Sequence, residues 1–191
     1  MSKACDARKP VRFAACSAVD ALRKLVVLST SAAHSSLMYG WSDAEWLTLQ
    51  LGPAWVISAL LGRNRFDELE QEAFWQAVEE APVGHSALTW QLMQAVSRNR
   101  EWLFDEFMLD GRSIVSGLSQ VTALLEHVSP EISRETREAI LRVGSGVARA
   151  RGPFGRRITD HDAQTLELVA QLLESAAETA ENNPLNANVA L

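Results

Sequence analysis

Few residues in this chain have the type and spacing for chemistry, and the most suggestive are carboxylates at two helix starts. Asp67 stands three residues before Glu70, and Thr159 three before Asp162; each pair follows a glycine loop and opens an apolar-periodic stretch. Asp67, Glu70 and Asp162 are therefore the candidate ligands for a divalent cation, because hard ions take carboxylate oxygens. Calcium wants about six to eight oxygens and magnesium a near-octahedral set, so two acids at one helix start make a weak site. The same acids have a second reading, as caps for unpaired amides and as favourable charges at the positive end of a helix.

The remaining candidates are thinner. His34, His85, His127 and His161 lack the HxxxH or ExxH spacing that puts two ligands on one helix face, which speaks against zinc or di-iron chemistry. Asp110-Gly111 fails as a calcium loop, since Met108 and Gly117 fall where acids are required. Gly144-Ser145-Gly146 lies inside a helical pattern, where small residues let helices approach closely. No nucleophile elbow, phosphate loop or dinucleotide fingerprint is present. With no acid, base and nucleophile set to assemble, an enzyme is the third choice of function class.

Composition narrows the rest. A chain of 191 residues with 47% apolar and 22% charged residues is enough for one globular core. Residues 1–40 hold six Lys or Arg against two Asp, a balance of +4, which leaves −10 on residues 41–191 out of a net charge of −6. So acidic a body is a poor phosphate binder, which excludes nucleic acid as the expected partner. The two cysteines, Cys5 and Cys16, would staple only a short loop and read as free thiols of a reducing, cytoplasmic setting. The longest nearly apolar run, residues 51–61, is interrupted and falls well short of the ~20 residues of a membrane span.

The elements that must position these residues are helical throughout, since apolar spacing is three and four and strand alternation is absent. The fold class is all-α, a compact multi-helix bundle. Residues 1–40 are a first helix or an N-terminal extension, basic enough to suggest a targeting segment, with Leu22, Leu25 and Val26 at helical spacing. Residues 41–181 are the helical domain, and residues 182–191 a polar tail expected to be disordered. Ser42 with Glu45 forms a capping box opening a short helix that Gly52-Pro53 ends; Pro53 then starts a second helix through Leu61. Asp67 opens the next, with Phe74, Ala77 and Val78 inward, and Ser86 or His85 another, with Leu88, Leu92 and Val96 inward. Residues 102–109 are expected to be buried on most sides, and a helix runs from about Ser113 to Val128. The next carries Ile140, Val143, Val147 and Ala148, and the last, capped at Thr159, carries Leu166, Val169, Ala170, Leu173 and Ala177. Trp46, Trp55, Trp75, Trp90 and Trp102 fit inward positions.

One pattern occurs twice. With Phe66 placed on Ile158, Asp67 falls on Thr159, Glu70 on Asp162 and Phe74 on Leu166, so two pseudo-repeated helix-loop-helix units are expected. The stretches LLGRNRFDELEQEAFWQAV and VARARGPFGRRITDHDAQTLELVAQLL resemble the tellurite-resistance TerB-like superfamily, most nearly its uncharacterised bacterial members. The resemblance spans residues 41–174. It implies a helical bundle and metal binding at acidic loop residues, although the family's metal-associated form carries Asp before the loop glycine where this chain has Leu61 and Phe154. The expected function is a helical binding or scaffold module, stress- or metal-related through that resemblance. The alternative is a homodimerising protein-interaction domain without metal or catalysis.

Overall fold

The structure, a computed structural model, describes residues 39–82, 86–151 and 157–181, with side chains as far as Glu174. Residues 1–38, 182–191, His85 and the loop from Gly152 to Arg156 lie outside the described residues, and with them the expectations about an extension, a tail, Cys5, Cys16, His34 and Phe154. Among the described residues every regular element is a helix: α1 (Asp43–Leu61), α2 (Glu68–Glu80), α3 (Ala87–Arg98), α4 (Leu103–Leu109), α5 (Ile114–Leu125), α6 (Pro130–Arg151) and α7 (Asp160–Glu181). The chain is an all-α bundle. No helix among the described residues is long and apolar enough to cross a membrane.

The centre of the bundle is α1, on which α3, α4, α5, α6 and α7 all pack, while α2 lies against α6 and α3. Here the structure corrects the sequence reading: Gly52-Pro53 does not end a helix, and α1 runs unbroken with Pro53 inside it. Proline in a helix interior loses one hydrogen bond and clashes with the carbonyl four residues back, costing about 3 kcal/mol. Burying each large apolar side chain contributes about 1.5–3 kcal/mol. Since Trp46, Leu49, Leu51, Trp55, Val56 and Ile57 are all essentially fully buried, the core outweighs the local signal. Gly52 helps, because a residue before proline is kept out of the helical region partly by its Cβ, which glycine lacks.

Helix starts follow the sequence closely. Ser42 and Glu45 close a capping box on α1, as Asp67 and Glu70 do on α2. Ser86 accepts from the Thr89 amide, Ser113 from that of Ser116, and Thr159 from that of Asp162. Each cap satisfies an amide that the first turn leaves unpaired.

Glycines set how closely the helices approach. A Cβ on Gly117 of α5 would lie 2.2 Å from the Trp55 ring, one on Gly144 of α6 would lie 2.5 Å from Val56 Cγ1, and one on Gly146 would lie 2.6 Å from the Ala77 Cβ. The Gly144-Ser145-Gly146 run is thus a packing device, and Ser145 turns its hydroxyl back onto the Leu141 carbonyl. The aromatic residues mostly fill the core as expected, with Trp41, Trp46, Trp55, Trp75 and Trp102 buried. Trp90 is the exception, 55% exposed on α3.

Two predictions follow from this packing and capping. Gly117→Ala should lower stability by about 1–3 kcal/mol in urea melts, because the clash with a fixed indole exceeds the ~1 kcal/mol that alanine gains in helix propensity; an unchanged or higher midpoint would contradict the close approach. The Glu45 carboxyl is held below its ordinary value near 4.5, first by the Ser42 backbone amide and then by the Ser42 hydroxyl. A depressed carboxyl stabilises the fold above its unfolded value, and that contribution is lost as pH falls through 4.5 and below. Glu45→Gln should therefore shrink the drop in thermal midpoint between about pH 6 and about pH 3; an equal drop in both proteins would show the cap contributes nothing to acid sensitivity.

Candidate functional site

Asp67 and Glu70 meet at the start of α2, and the way they meet decides what they can do. The Glu70 amide donates to Asp67 Oδ1 and the Asp67 amide donates to Glu70 Oε2, both at 2.9 Å. Arg63, in the loop after α1, places Nη2 2.7 Å from both oxygens of Glu70, and Arg151 at the end of α6 brings Nε to 3.6 Å of Oε1. Glu70 is 5% exposed, so its carboxylate is a buried anion already held by one amide and two guanidinium groups. Such a group fixes three segments to one another: the 62–66 loop, the start of α2 and the end of α6.

Asp162 is also buried, at the start of α7, where its amide is capped by Thr159 Oγ1. It does not join the other two, and among the described residues no group of three or more His, Cys, Asp or Glu could hold a metal ion. His127 and His161 stand exposed near helix ends. Phe66 and Ile158 are both half-buried ahead of capped helices, rather than fully buried as the two-unit pattern expects. Phe66 reaches an aromatic cluster, 5.0 Å from the Phe104 ring and 5.7 Å from Phe107.

Arg63 has a role the sequence did not indicate. Its spacing in an exposed glycine loop reads as solvent-facing, but its head lies on the buried Glu70 carboxylate while its stem stays half-exposed. The local signals were Asp67, four residues on and 3.7 Å from Nη2, and Glu70, seven on, but Arg63 precedes the helix, where the helix pair rule does not apply.

The face that sequence reasoning missed lies around α4, whose Phe104 and Phe107 pack on Phe66. Residues 102–109 were expected inside on most sides, and the structure splits them: Trp102, Leu103 and Phe107 are buried, whereas Met108 is 44% and Leu109 80% exposed. Val115, at the start of α5, is 56% exposed. These three large exposed apolar side chains fall within eight residues of sequence, around the corner where α4 leads into α5, whereas the exposed Leu69, Trp90 and Leu168 stand singly along the sequence, as is ordinary on a protein surface. The corner is held firmly. Phe107 packs edge-on against Trp55, and Arg112 covers the same indole at 4.8 Å while its guanidinium binds Asp110, Gln120 and Thr48. A second feature, an open groove of about 400 Å³ between α2 and α6, has a floor of Ala73, Ala77, Gly146 and Ala150 and a rim of Gln76, Glu80 and Arg149. Its small side chains follow from the Gly146–Ala77 approach.

The ion network gives a test of its structural role. Glu70→Ala should destabilise by about 3 kcal/mol or more, since it strips the partner from two guanidinium groups and an amide. Arg63→Ala should cost about 1–3 kcal/mol, against less than ~0.5 kcal/mol for Arg134→Ala, whose exposed pairing with Glu138 is loose. Equal, small effects at Arg63 and Arg134 would remove the network from the account of stability.

No protein-family model matches this sequence, and no curated protein or solved structure matches it significantly.

Proposed function

We propose that this domain is a helical protein-interaction module whose docking face is the α4–α5 corner. The observation that carries this reading is the exposure of Met108, Leu109 and Val115 within eight residues, on a molecule that packs most of its large described side chains into one core. Compact apolar patches rimmed by polar groups are where proteins meet, and a fixed patch loses little entropy on binding. Carboxylates stand nearby in the chain: Asp105 is exposed one turn before Met108 on α4, and Glu101 is exposed in the turn ahead of that helix. A partner that is itself basic and apolar fits this surface. A second copy set across a two-fold axis would bring acids against acids, which disfavours the homodimer alternative at this face.

The metal-related role implied by the TerB-like resemblance draws less support, because the Glu70 oxygens are engaged by Arg63, Arg151 and the Asp67 amide. Asp67 and Glu70 serve α2 as caps.

A photoreactive residue introduced at position 109 of the full chain, with a control at exposed Glu79, should cross-link to one defined peptide, identified by mass spectrometry. Val115→Asp should abolish that product and leave the melt unchanged within ~0.5 kcal/mol, as expected for an exposed position. Products at 109 no more defined than those at 79 would remove this reading.

A further inference from the structure

The open groove between α2 and α6 has walls of opposite charge. The two helices run antiparallel, since Arg151 meets Glu70, Ala77 backs onto Gly146, and Arg142 donates to the Ala81 carbonyl. The α2 wall carries Glu80 and the α6 wall Arg149, both exposed, and the floor between them is alanine and glycine. Each charged head is swung back along its own helix. Gln76 Nε2 donates to Glu80 Oε1 at 3.1 Å, and Arg149 Nε donates to the Ser145 carbonyl at 3.3 Å. Both heads are thus drawn toward the N-terminal ends of their helices, the direction in which helical side chains lean. Because the helices are antiparallel, the two heads come level with the Ala77–Gly146 contact at the middle of the groove. They do not reach each other, and among the described residues neither Glu80 nor Arg149 forms an ion pair.

A groove with an acid on one wall and a cation on the other at the same level is complementary to itself. A two-fold axis laid along the groove exchanges the walls, so that α2 of one copy lies over α6 of the other and every residue keeps its level. Each Glu80 then faces the Arg149 of the other copy, once on either side of the axis, which is the isologous pairing of a closed dimer. The floor serves the same arrangement, because helix axes approach to about 8–10 Å according to the side chains between them, and here those are small.

The size of the face sets the strength of the contact. The 13 residues of α2 are ~20 Å long, and two helices side by side are ~20 Å wide, which gives ~400 Å² per copy. A total of ~800 Å² lies below the ~1,200 Å² at which stable complexes begin, so the pair separates on dilution.

We propose that a second copy of this chain docks in the α2–α6 groove about a two-fold axis parallel to the two helices, with Glu80 of each copy on Arg149 of the other. This face is separate from the α4–α5 corner, and either reading stands without the other.

Sedimentation of the full chain at low salt should show a mass that rises with concentration from monomer toward dimer, and rises less at high salt, where exposed charges are screened. Glu80→Arg and Arg149→Glu should each weaken self-association about tenfold or more, since one sets cation against cation and the other acid against acid. Circular dichroism should show the helices of both variants intact. Mixed together, the two variants are complementary at both contacts, and native mass spectrometry should show their heterodimer, a rescue that a folding defect does not produce. Monomer mass at every concentration overturns the proposal, as does self-association that survives both reversals or a mixture that stays monomeric. Mass that climbs past the dimer marks an open head-to-tail contact and overturns it as well. Self-association lost in Val115→Asp but kept in both charge variants moves the second copy to the corner and removes the groove. A defined cross-link from position 109 together with monomer mass keeps the corner reading and removes only this inference.

Discussion

The bundle depends on α1 being gripped at distances that only glycine allows. Trp55 lies where a Cβ on Gly117 would stand, and Val56 where one on Gly144 would stand, so α5 and α6 close on adjoining residues of the central helix through missing side chains. Interiors packed to crystal density do not yield to an added methyl group without displacing a neighbour. From that grip follow the position of α6 against α2 through Gly146 and Ala77, and the shallow small-residue groove beside it. It also accounts for the tolerance of Pro53: a helix enclosed by neighbours retains its course when one internal hydrogen bond is missing.

A second constraint joins the ends of helices rather than their middles. The Glu70 carboxylate is an N-terminal cap and an ion-pair acceptor at once, so the entry of the chain into α2 is coupled to the exits of α1 and α6 through Arg63 and Arg151. Loss of one partner leaves a buried charge uncompensated, which is why such a site is costlier to break than an exposed pair. The start of α7 is built differently: Thr159 caps the Asp162 amide, and no ion pair on the Asp162 carboxylate corresponds to that of Arg63 on Glu70 among the described residues. The two helix starts are alike as capping motifs and differ as charge sites.

Legibility in the sequence tracked how local each determinant was. Caps at Ser42, Asp67 and Thr159 were readable because a cap is a property of four adjacent residues. The apolar stripes of α3 and α6 were readable because they repeat over several turns; Leu88, Leu92, Val96, Ile140, Val143 and Val147 are all fully buried. Pro53 misled because its local signal was set against burial on every side, a tertiary fact. Residues 102–109 misled because α4 has only seven residues, too few for periodicity to separate Leu103 and Phe107 from Met108 and Leu109. Arg63 and Trp90 depended on neighbours distant in sequence or on their absence, and no pattern of residue types encoded either.

The same shortness that hid the corner explains why it is presented so rigidly. A helix of two turns has little stability of its own, since nucleation is costly and few internal bonds repay it. Its conformation is therefore set by tertiary anchors: Leu103 and Phe107 fixed in the core, Phe107 against Phe66 and Trp55, and the following turn clamped by Arg112. Those anchors use one side of α4 completely and leave Met108 and Leu109 no direction but outward. An apolar surface held this way is ordered before any partner arrives, so binding there does not carry the cost of freezing a loop. What remains to be supplied is cover for the exposed apolar area and charge for the carboxylates beside it, and one surface can meet both needs only if basic and apolar residues alternate along it.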